Sequence, residues 1–531
     1  MCYIRFVLLM ILSCFLGCTK HTSVNTQCFR MNLQKDPQTL DPRKARDMNT
    51  VTVCKMLYEG LTRISKEGNP ELALAQSVDI SEDGREYVFH LRKSQWSNGT
   101  PVTSVDFAES WKQILRPDFP TDMAYQLYMI ENAKFVKLGE KSSKDLGIQT
   151  PDPLTLVVRL EAPTPYFLEV CSTPSFFPVP SALAAENPNW SLHPDTFVGN
   201  GPFVLKKWEH TNELCVGKNP KYWEADQVRM EEVRLVMVSS DTEMQMFEEK
   251  ELDLAGGLLS SLPMDAVEHL RETGQLQVSP VSGTRFLRIN TQENLAGKAN
   301  VVHSVEFRKA LSFALDRPAI TKHVLHDVKT PARSFVPPEM DLCRDGYFAA
   351  QDPEIANRLL TKALESMQLT RATLDPIVLG FVDIGVARAL AQAIQQQWET
   401  VLGIRVELQA IESKVFYQRI REKNFQIVIA SWIADFNDPI NYLEVFKFKE
   451  GSSNNTNWEN AKYIELLNQS TICRDQVERK NVLRGAEEIL MAEMPIIPLY
   501  HEAMHFLQRP EVQGMALSPI GHVDVRWAWI R

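Results

Sequence analysis

The chain has 531 residues, and 57 Lys and Arg against 67 Asp and Glu give it a formal net charge of −10. At roughly 150 residues per domain, this length predicts about three or four folding units. A hydrophobic fraction of 44% and a charged fraction of 23% are typical of globular proteins and exclude disordered, fibrous and collagen-like chains. The acidic balance argues against a nucleic-acid partner, which a basic surface would indicate.

The N-terminus is typical of an exported protein. Arg5 precedes an apolar run at 6–12, and small residues follow as far as Cys18. This pattern predicts a signal peptide, because the run is shorter than the roughly 20 residues that span a bilayer. A cysteine at this place is similar to the lipobox cysteine of bacterial lipoproteins, which carries the lipid. We therefore expect residues 1–18 to be a lipoprotein signal peptide with lipidation at Cys18, followed by a tether at 19–27. The alternative is an ordinary cleaved signal.

The pattern of apolar residues in the rest of the chain predicts mixed α and β structure. Strands are expected where apolar residues alternate or run together, at 86–92, 154–160, 232–238, 286–289, 377–381, 404–411 and 425–432. Helices are expected behind capping residues and before stop residues, at 103–115, 304–315, 386–401 and 414–421. Gly403 ends the third of these helices. The strand–helix–strand order from 376 to 432 predicts a parallel or mixed sheet covered by helices.

The sharpest catalytic motif is an H-E-x-x-H sequence formed by His501, Glu502 and His505. In zinc peptidases this spacing places two histidines on one helix face and supplies a glutamate as general base. Pro495 and Pro498 lie just upstream and argue against a helix. On a strand the two histidines would lie about 13 Å apart, too far to bind one metal ion. We therefore expect a partly exposed strand without a metal site, and we keep a zinc metallopeptidase as the alternative from another class.

Other catalytic signatures are not found in the sequence. There is no G-x-S-x-G motif and no P-loop, and the segment 199–202 has too few glycines for a dinucleotide fingerprint. The six cysteines after Cys18 are widely spaced and form no C-x-x-C pair, which argues against metal clusters and leaves any disulfide pairing open: Cys28, Cys54, Cys171, Cys215, Cys343 and Cys473. The sequence therefore does not predict an enzyme.

Several short motifs occur in a fixed order across about 400 residues of the chain. They are Leu40-Asp41-Pro42, Glu59-Gly60-Leu61, Trp96-Ser97-Asn98-Gly99-Thr100-Pro101-Val102-Thr103, Gly199-Asn200-Gly201-Pro202-Phe203, Asn219-Pro220-Lys221-Tyr222-Trp223, Phe307-Arg308-Lys309-Ala310-Leu311 and Ala434-Asp435-Phe436-Asn437-Asp438-Pro439. Each motif alone is weak. In this order they resemble those of the bacterial extracytoplasmic solute-binding proteins of family 5, and the last one resembles its oligopeptide-binding branch.

The resemblance implies a two-lobed α/β fold of the periplasmic-binding-protein type (type II, cluster C) with an extra subdomain in lobe I. Mapped onto this chain, lobe I would comprise 28–55, 181–284 and 500–531. The subdomain would comprise 56–180, and lobe II would comprise 285–499. In such a protein the H-E-x-x-H segment lies on a strand.

The resemblance also implies the function. The protein would be the peptide-binding component of an ABC importer, without catalysis, cofactor or metal. Its partners would be oligopeptides, the ABC permease with its ATPase subunits, and a membrane through the lipid anchor. It would be monomeric, bind no nucleic acid, and reside in the periplasm or the cell envelope.

A peptide-binding site should use the features that all peptides share. Backbone groups can pair with strand edges, and a desolvated α-ammonium needs a fixed carboxylate. By resemblance, Asp435 would bind the α-ammonium, with Trp432 and Ile433 along the peptide backbone. Trp432 would form one wall of a side-chain pocket. The second wall would come from the loop at 46–48, which holds Arg46, Asp47 and Met48.

The sequence leaves the cargo open. The same scaffold could bind murein peptides, dipeptides, a nickel or other metal chelate, haem or an oligosaccharide, and a free amino group on Asp435 makes murein peptides the strongest rival. Some family members carry an arginine shortly before this aspartate, where this chain has Val428, Ile429 and Ala430. The third alternative for the function of the chain is a purely structural envelope lipoprotein.

Overall fold

The computed structural model describes residues 27–531 except 296, 327, 344, 349, 350 and 452. The strands, numbered in chain order, are β1 Cys28–Asn32, β2 Thr62–Ile64, β3 Pro70–Leu72, β4 Ala75–Ile80, β5 Glu86–Leu91, β6 Ile148–Asp152, β7 Thr155–Arg159, β8 Phe203–Glu209, β9 Glu213–Lys218, β10 Glu232–Val236, β11 Leu254–Gly256, β12 Gln277–Ile289, β13 Asn294–Leu295, β14 Lys298–Ala299, β15 Thr330–Pro331, β16 Ile377–Val382, β17 Val406–Ile411, β18 Ile427–Ile433, β19 Ile496–Gln508, β20 Val512–Gln513, β21 Ala516–Leu517, β22 Val523–Asp524 and β23 Trp529–Ile530. The predicted signal peptide, Cys18 and nearly all of the tether lie outside the described residues.

The α-helices are short or of medium length and lie between the strands. They are α1 Met48–Leu57, α2 Ser104–Ile114, α3 Ala133–Lys137, α4 Phe167–Val170, α5 Ser181–Glu186, α6 Ser240–Glu248, α7 Met264–Glu272, α8 Val305–Phe313, α9 Arg317–His323, α10 Pro353–Ser366, α11 Gly385–Leu402, α12 Ser413–Arg421, α13 Ile440–Leu443, α14 Ala461–Ile472 and α15 Gln476–Glu493. The predicted mixed α/β class is confirmed.

One eleven-stranded mixed sheet runs through the molecule in the order β17-β16-β18-β12-β19-β11-β1-β10-β9-β8, with β15 paired to β19. We call the half from β11 to β8 lobe I and the half from β18 to β17 lobe II. The two long strands β12 and β19 run antiparallel at the centre and belong to both halves. Two strands therefore carry the chain between the lobes within one continuous sheet.

Lobe I includes a smaller four-stranded sheet in the order β4-β5-β7-β6. Along β5 the side chains of Tyr87, Phe89 and Leu91 are buried, as the period-2 pattern predicts. Helix α2 covers this sheet and begins with the predicted capping box, in which the Thr103 N–H donates to the Asp106 carboxylate at 2.8 Å. The small sheet and the lobe I half of the large sheet share one apolar core.

Lobe II contains the strand–helix–strand alternation that the sequence predicts. Strands β16, β17 and β18 pair in parallel, and α11 packs against β16 and β17. Helix α11 ends at Gly403, which adopts a left-handed conformation with φ of +65°. A glycine accepts this conformation without the penalty of a Cβ atom, which explains why the helix stops there.

Candidate functional site

A cavity of ≈590 Å³ lies between the lobes, beside the end of β18. This volume is within the range of small-molecule sites. Lobe I contributes to its wall the residues Arg46, Asp122, Met123, Tyr125, Tyr166 and Val170. Lobe II contributes Trp432, Ile433, Asp435, Phe436, Asn441 and Glu444. The wall is mostly aromatic and apolar, with a few carboxylates and one guanidinium.

Asp435 follows β18 and faces this cavity. The Tyr125 hydroxyl donates to its Oδ2 at 3.4 Å, and its backbone N–H donates to Asn441 Oδ1 at 3.3 Å. Among the described residues, no ammonium or guanidinium lies within ion-pair distance of the Asp435 carboxylate. Burial raises the pKa of Asp435, while hydrogen bonds from the Tyr125 and Asn441 side chains oppose this rise. The surroundings of this carboxylate therefore disfavour its charged form.

Trp432 and Ile433 end β18 on the same cavity wall. The Trp432 indole N–H donates to Asn441 Oδ1 at 3.0 Å, so one amide fixes both the indole and the Asp435 backbone. Strand β18 pairs with β12 along its whole length, but with β16 only at Ile427 and Val428. In the described part of the chain, the edge that faces β16 has no strand partner over 429–433. An extended segment could pair with this edge.

The loop at 46–48 is only partly in the cavity wall. Arg46 lines the cavity and forms an ion pair of 2.5 Å with Asp122, in which both side chains are at least 70% exposed. Asp47 instead caps α1, because its carboxylate accepts from the Thr50 N–H at 3.0 Å. Met48 packs against the core of lobe I. Of the residues predicted for the site, the structure brings four to the cavity wall: Arg46, Trp432, Ile433 and Asp435. Asp47 and Met48 are not among the lining residues.

The sequence did not point to the segments that complete the lobe I wall. Asp122, Met123 and Tyr125 lie in and just before a short 3-10 turn, Ala124–Leu127, and Tyr166 precedes the four-residue helix α4. Neither segment has a hydrophobic period or a motif, so no local signal marks them. Only the fold brings them to the cavity.

The H-E-x-x-H motif lies on β19, which confirms the predicted strand. Its exposure was predicted wrongly, because both histidines are buried, with 3% of His501 and 9% of His505 exposed. The reason is that β19 lies at the centre of the sheet, between β12 and β11. Glu502 forms ion pairs with Lys329 at 2.9 Å and Arg285 at 3.1 Å. A carboxylate engaged on a central strand does not have the helical geometry that a zinc peptidase requires.

The environment of these histidines favours their neutral form. Burial lowers the pKa of His501 to about 4, and burial together with Lys329 lowers that of His505 to about 4.

Within 27–531, leaving aside the six residues that are not described, no group of three or more His, Cys, Asp or Glu residues is arranged to hold a metal ion. In the same part of the chain no helix is long and apolar enough to cross a membrane.

Comparison with known proteins assigns the chain to a family. A model of the bacterial extracellular solute-binding proteins, family 5 middle, matches residues 69–454. The chain is 36% identical to the oligopeptide-binding protein OppA of Bacillus subtilis, over 96% of this chain and 94% of that protein. It is 32% identical to the dipeptide-binding protein DppE of the same organism, over 94% and 91%.

A solved structure gives the same result. The murein tripeptide-binding protein MppA of Escherichia coli superposes with a TM-score of 0.80 at 26% identity, over 95% of this chain and 98% of that chain. Its similarity extends over both lobes, in agreement with the two-lobed fold that the sequence predicts.

Proposed function

The chain belongs to the family 5 bacterial extracellular solute-binding proteins, and on that premise we propose that it captures peptides with a free N-terminus between its two lobes. It delivers them to an ABC permease with its ATPase subunits and catalyses no reaction. The observation that carries this proposal is Asp435, a carboxylate without a cationic partner among the described residues, on the wall of a ≈590 Å³ interlobe cavity.

The α-ammonium of a peptide supplies the charge that Asp435 lacks. Three other acidic side chains near the cavity have basic partners: Asp122 pairs with Arg46, Glu444 with Lys447 at 3.5 Å, and Asp438 with Arg479 at 2.7 Å. Asp435 is therefore the one carboxylate among the residues that line the cavity that has no basic partner in the described part of the chain, and one added positive charge balances it. A desolvated pair of this kind, with hydrogen bonds, is a strong and specific contact.

The peptide backbone would pair with the free edge of β18. Residues 429–433 on that edge run directly up to the Asp435 loop, so a strand whose N-terminus rests on Asp435 can extend along them. Trp432 and Ile433 would then lie beside the first residues of the peptide. This arrangement reads the backbone and the N-terminus, which suits a protein that accepts many sequences.

The loop at 46–48 forms part of the opposite wall in this proposal. Arg46 contacts the ligand, whereas Asp47 and Met48 act by fixing the start of α1 behind it.

We also propose that the chain divides into lobe I at 28–55, 181–284 and 500–531, its extra subdomain at 56–180 and lobe II at 285–499. We further propose that Cys18 carries a lipid that anchors a monomer in the cell envelope.

Murein peptides are the second candidate cargo. The similarity to the murein tripeptide-binding protein MppA favours them, and such a peptide could present an amino group to Asp435 as an ordinary peptide does. The relative described as dipeptide-binding keeps dipeptides as a further cargo of the same chemical class. All three share the free amine.

Isothermal titration with trialanine and N-acetyl-trialanine tests the proposal. Acetylation removes the ammonium, so wild-type affinity should fall by roughly 100-fold, and Asp435→Asn should cause a fall of the same size for trialanine. Acetylation should then have no further effect on the Asp435→Asn variant. Asp122→Asn is the matched control, because this cavity carboxylate already has Arg46 as its partner, and it should change affinity less than about threefold.

The outcomes separate the parts of the proposal. If wild type does not bind trialanine but binds a murein tripeptide, the cargo is the murein candidate. If trialanine binds equally well to wild type and to Asp435→Asn, the protein binds peptides but the role of Asp435 is wrong.

A further inference from the structure

Beside the cavity, the lobe II loop at 435–437 contacts the lobe I segment at 166–169. The rings of Tyr166 and Phe436 stack with centroids 5.0 Å apart and an interplanar angle of 6°. Both rings pack against the apolar cores of lobe I and of lobe II. Three residues after Tyr166, the Glu169 carboxylate accepts a hydrogen bond of 2.8 Å from the backbone N–H of Asn437. A stack and a hydrogen bond therefore join the lobes at one short loop.

The same loop carries the carboxylate of the ligand site. Asp435 directly precedes Phe436, so consecutive residues face the cavity, the aromatic stack and Glu169. On the lobe II side the loop is fixed by Asp438, whose carboxylate accepts two hydrogen bonds from Arg479, at 2.7 and 2.8 Å. The position of the loop relative to lobe I thus depends on the contacts at Phe436 and at Glu169, together with the Tyr125–Asp435 hydrogen bond and a bond of 3.1 Å from the Ser282 hydroxyl to Asn437 Oδ1.

Charged groups face Glu169 from both lobes, although only 9% of the residue is exposed. Lys55 on α1 acts on it from lobe I, Asp438 acts from lobe II, and Asp435 lines the same ≈10 Å³ void, about the space of one water molecule. Burial raises the pKa of Glu169 to about 7, and Asp438 adds to this rise, while the Asn437 N–H and Lys55 oppose it. A glutamate in water, whose pKa is near 4.5, would be largely ionised at pH 7.

We propose that Glu169 is a positioning residue of the ligand site, which holds the Asp435 loop against lobe I and favours the closed lobes when it is protonated. This inference rests on the proposed function, because it assumes that a peptide closes the lobes on Asp435. It adds a regulatory property, namely that closure is linked to the uptake of a proton at a site that does not touch the peptide.

The direction of the pH effect follows from linkage. Burial raises the pKa of Glu169 to about 7 in this structure, and in the proposal an opening that exposes the carboxyl to water returns its pKa toward the ordinary 4.5. Closure therefore takes up a proton between these values, and this contribution to peptide affinity is present at pH 5.5 and is lost as pH rises through 7. A glutamine at 169 still accepts from the Asn437 N–H but does not titrate, so its contribution is constant.

The test compares trialanine affinities of wild type and Glu169→Gln at pH 5.5 and pH 7.5 by isothermal titration. The ratio of association constants, variant over wild type, should rise by roughly tenfold between the two pH values. Titration of Asp435 and of the peptide amino group affects both proteins and cancels in this ratio. A purely structural role of Glu169 would change affinity equally at both pH values.

Glu487→Gln is the matched control. Burial raises the pKa of Glu487 to about 7 as well, and its carboxylate accepts from the backbone N–H groups of Phe335 and Val336, inside lobe II. Its protonation therefore has no link to lobe closure, and its affinity ratio should not change with pH.

A second variant keeps the proposal testable if Glu169→Gln does not fold. Glu169→Asp retains a carboxylate but shortens the side chain by one methylene, so the bond to the Asn437 N–H is lost and affinity should fall several-fold at both pH values. Unchanged affinity of Glu169→Asp, or a flat ratio for Glu169→Gln while both proteins bind trialanine, overturns the role of Glu169. If wild type binds no peptide at either pH, the proposed function fails first and this inference fails with it.

Discussion

At the scale of single residues, the burial of Asp435, which we propose to bind the α-ammonium, also affects the stability of the protein. Burial raises its pKa, so the folded state holds the proton more tightly than the unfolded chain does. The stabilising contribution of the protonated form is present at low pH and is lost as pH rises through the folded pKa. At neutral pH the ionised carboxylate therefore destabilises the unliganded protein.

We expect Asp435→Asn to raise the melting temperature of the unliganded protein at pH 7.5 while it lowers peptide affinity. An amide keeps the hydrogen-bonding capacity of the side chain but carries no charge to desolvate, so a rise of roughly 1–3 °C is expected. At pH 4 the gain should shrink, because the wild-type carboxyl is more protonated there. Differential scanning calorimetry at both pH values measures this. A lower melting temperature of the variant at pH 7.5 would contradict the argument.

Residues of the site differ in how far the sequence could reveal them. Trp432 lies near the end of a strongly patterned strand and Asp435 belongs to the motif that follows it, so both the fold and a role could be inferred for them. Arg46 was located only as part of a loop, and its Asp122 partner was not found, because the pair joins segments 76 positions apart without any local pattern. A contact of this kind depends on the tertiary fold alone.

At the scale of elements, the sheet is irregular where β12 passes between the lobes. The pairing of β12 with β19 shifts register between Pro280 and Thr284. A Cβ atom on Gly283 would lie 2.9 Å from Glu502 Cβ, and Glu502 forms the ion pairs with Arg285 and Lys329. The missing side chain at Gly283 therefore lets the two crossing strands approach each other beside a buried charge cluster.

We expect Gly283→Ala to destabilise the protein by about 1–3 kcal/mol, since the new methyl group must displace Glu502 on a packed central strand. Urea unfolding followed by tryptophan fluorescence measures the change. Gly385→Ala is the control, because a Cβ atom at the start of α11 meets nothing within 4 Å and alanine favours a helix. Its midpoint should be unchanged or slightly higher. Equal midpoints for wild type and Gly283→Ala would show that β12 relaxes without cost.

The elements were predicted best where their pattern is local. The helix expected at 386–401 is α11, Gly385–Leu402, and the strand expected at 425–432 is β18, Ile427–Ile433. Strand β12 was recognised only at 286–289, because Pro280 and Gly283 interrupt its apolar pattern, although it extends over thirteen residues. The pairing partners β19 and β18, rather than its own composition, make that segment a strand.

At the scale of the whole molecule, the two lobes are joined by a continuous sheet and meet again at the Asp435 loop. A peptide that binds Asp435 and the β18 edge also contacts the lobe I wall, so its binding energy favours the closed arrangement over any arrangement in which the walls separate. The peptide and the Tyr166–Phe436 stack then act in the same direction. Binding, compaction and stabilisation should therefore occur together.

We expect trialanine at 100 times its Kd to stabilise the protein by about 2.7 kcal/mol at 25 °C and to raise its melting temperature by a few degrees. The radius of gyration from small-angle X-ray scattering should fall in the same samples, because closure brings the lobes together. N-acetyl-trialanine at the same concentration should stabilise the protein by only about 0.4 kcal/mol and lower the radius about half as far, since a roughly 100-fold weaker affinity leaves the protein half saturated. Stabilisation by trialanine without a smaller radius would mean that the peptide binds to lobes that are already closed, and the closing step would then have to be given up.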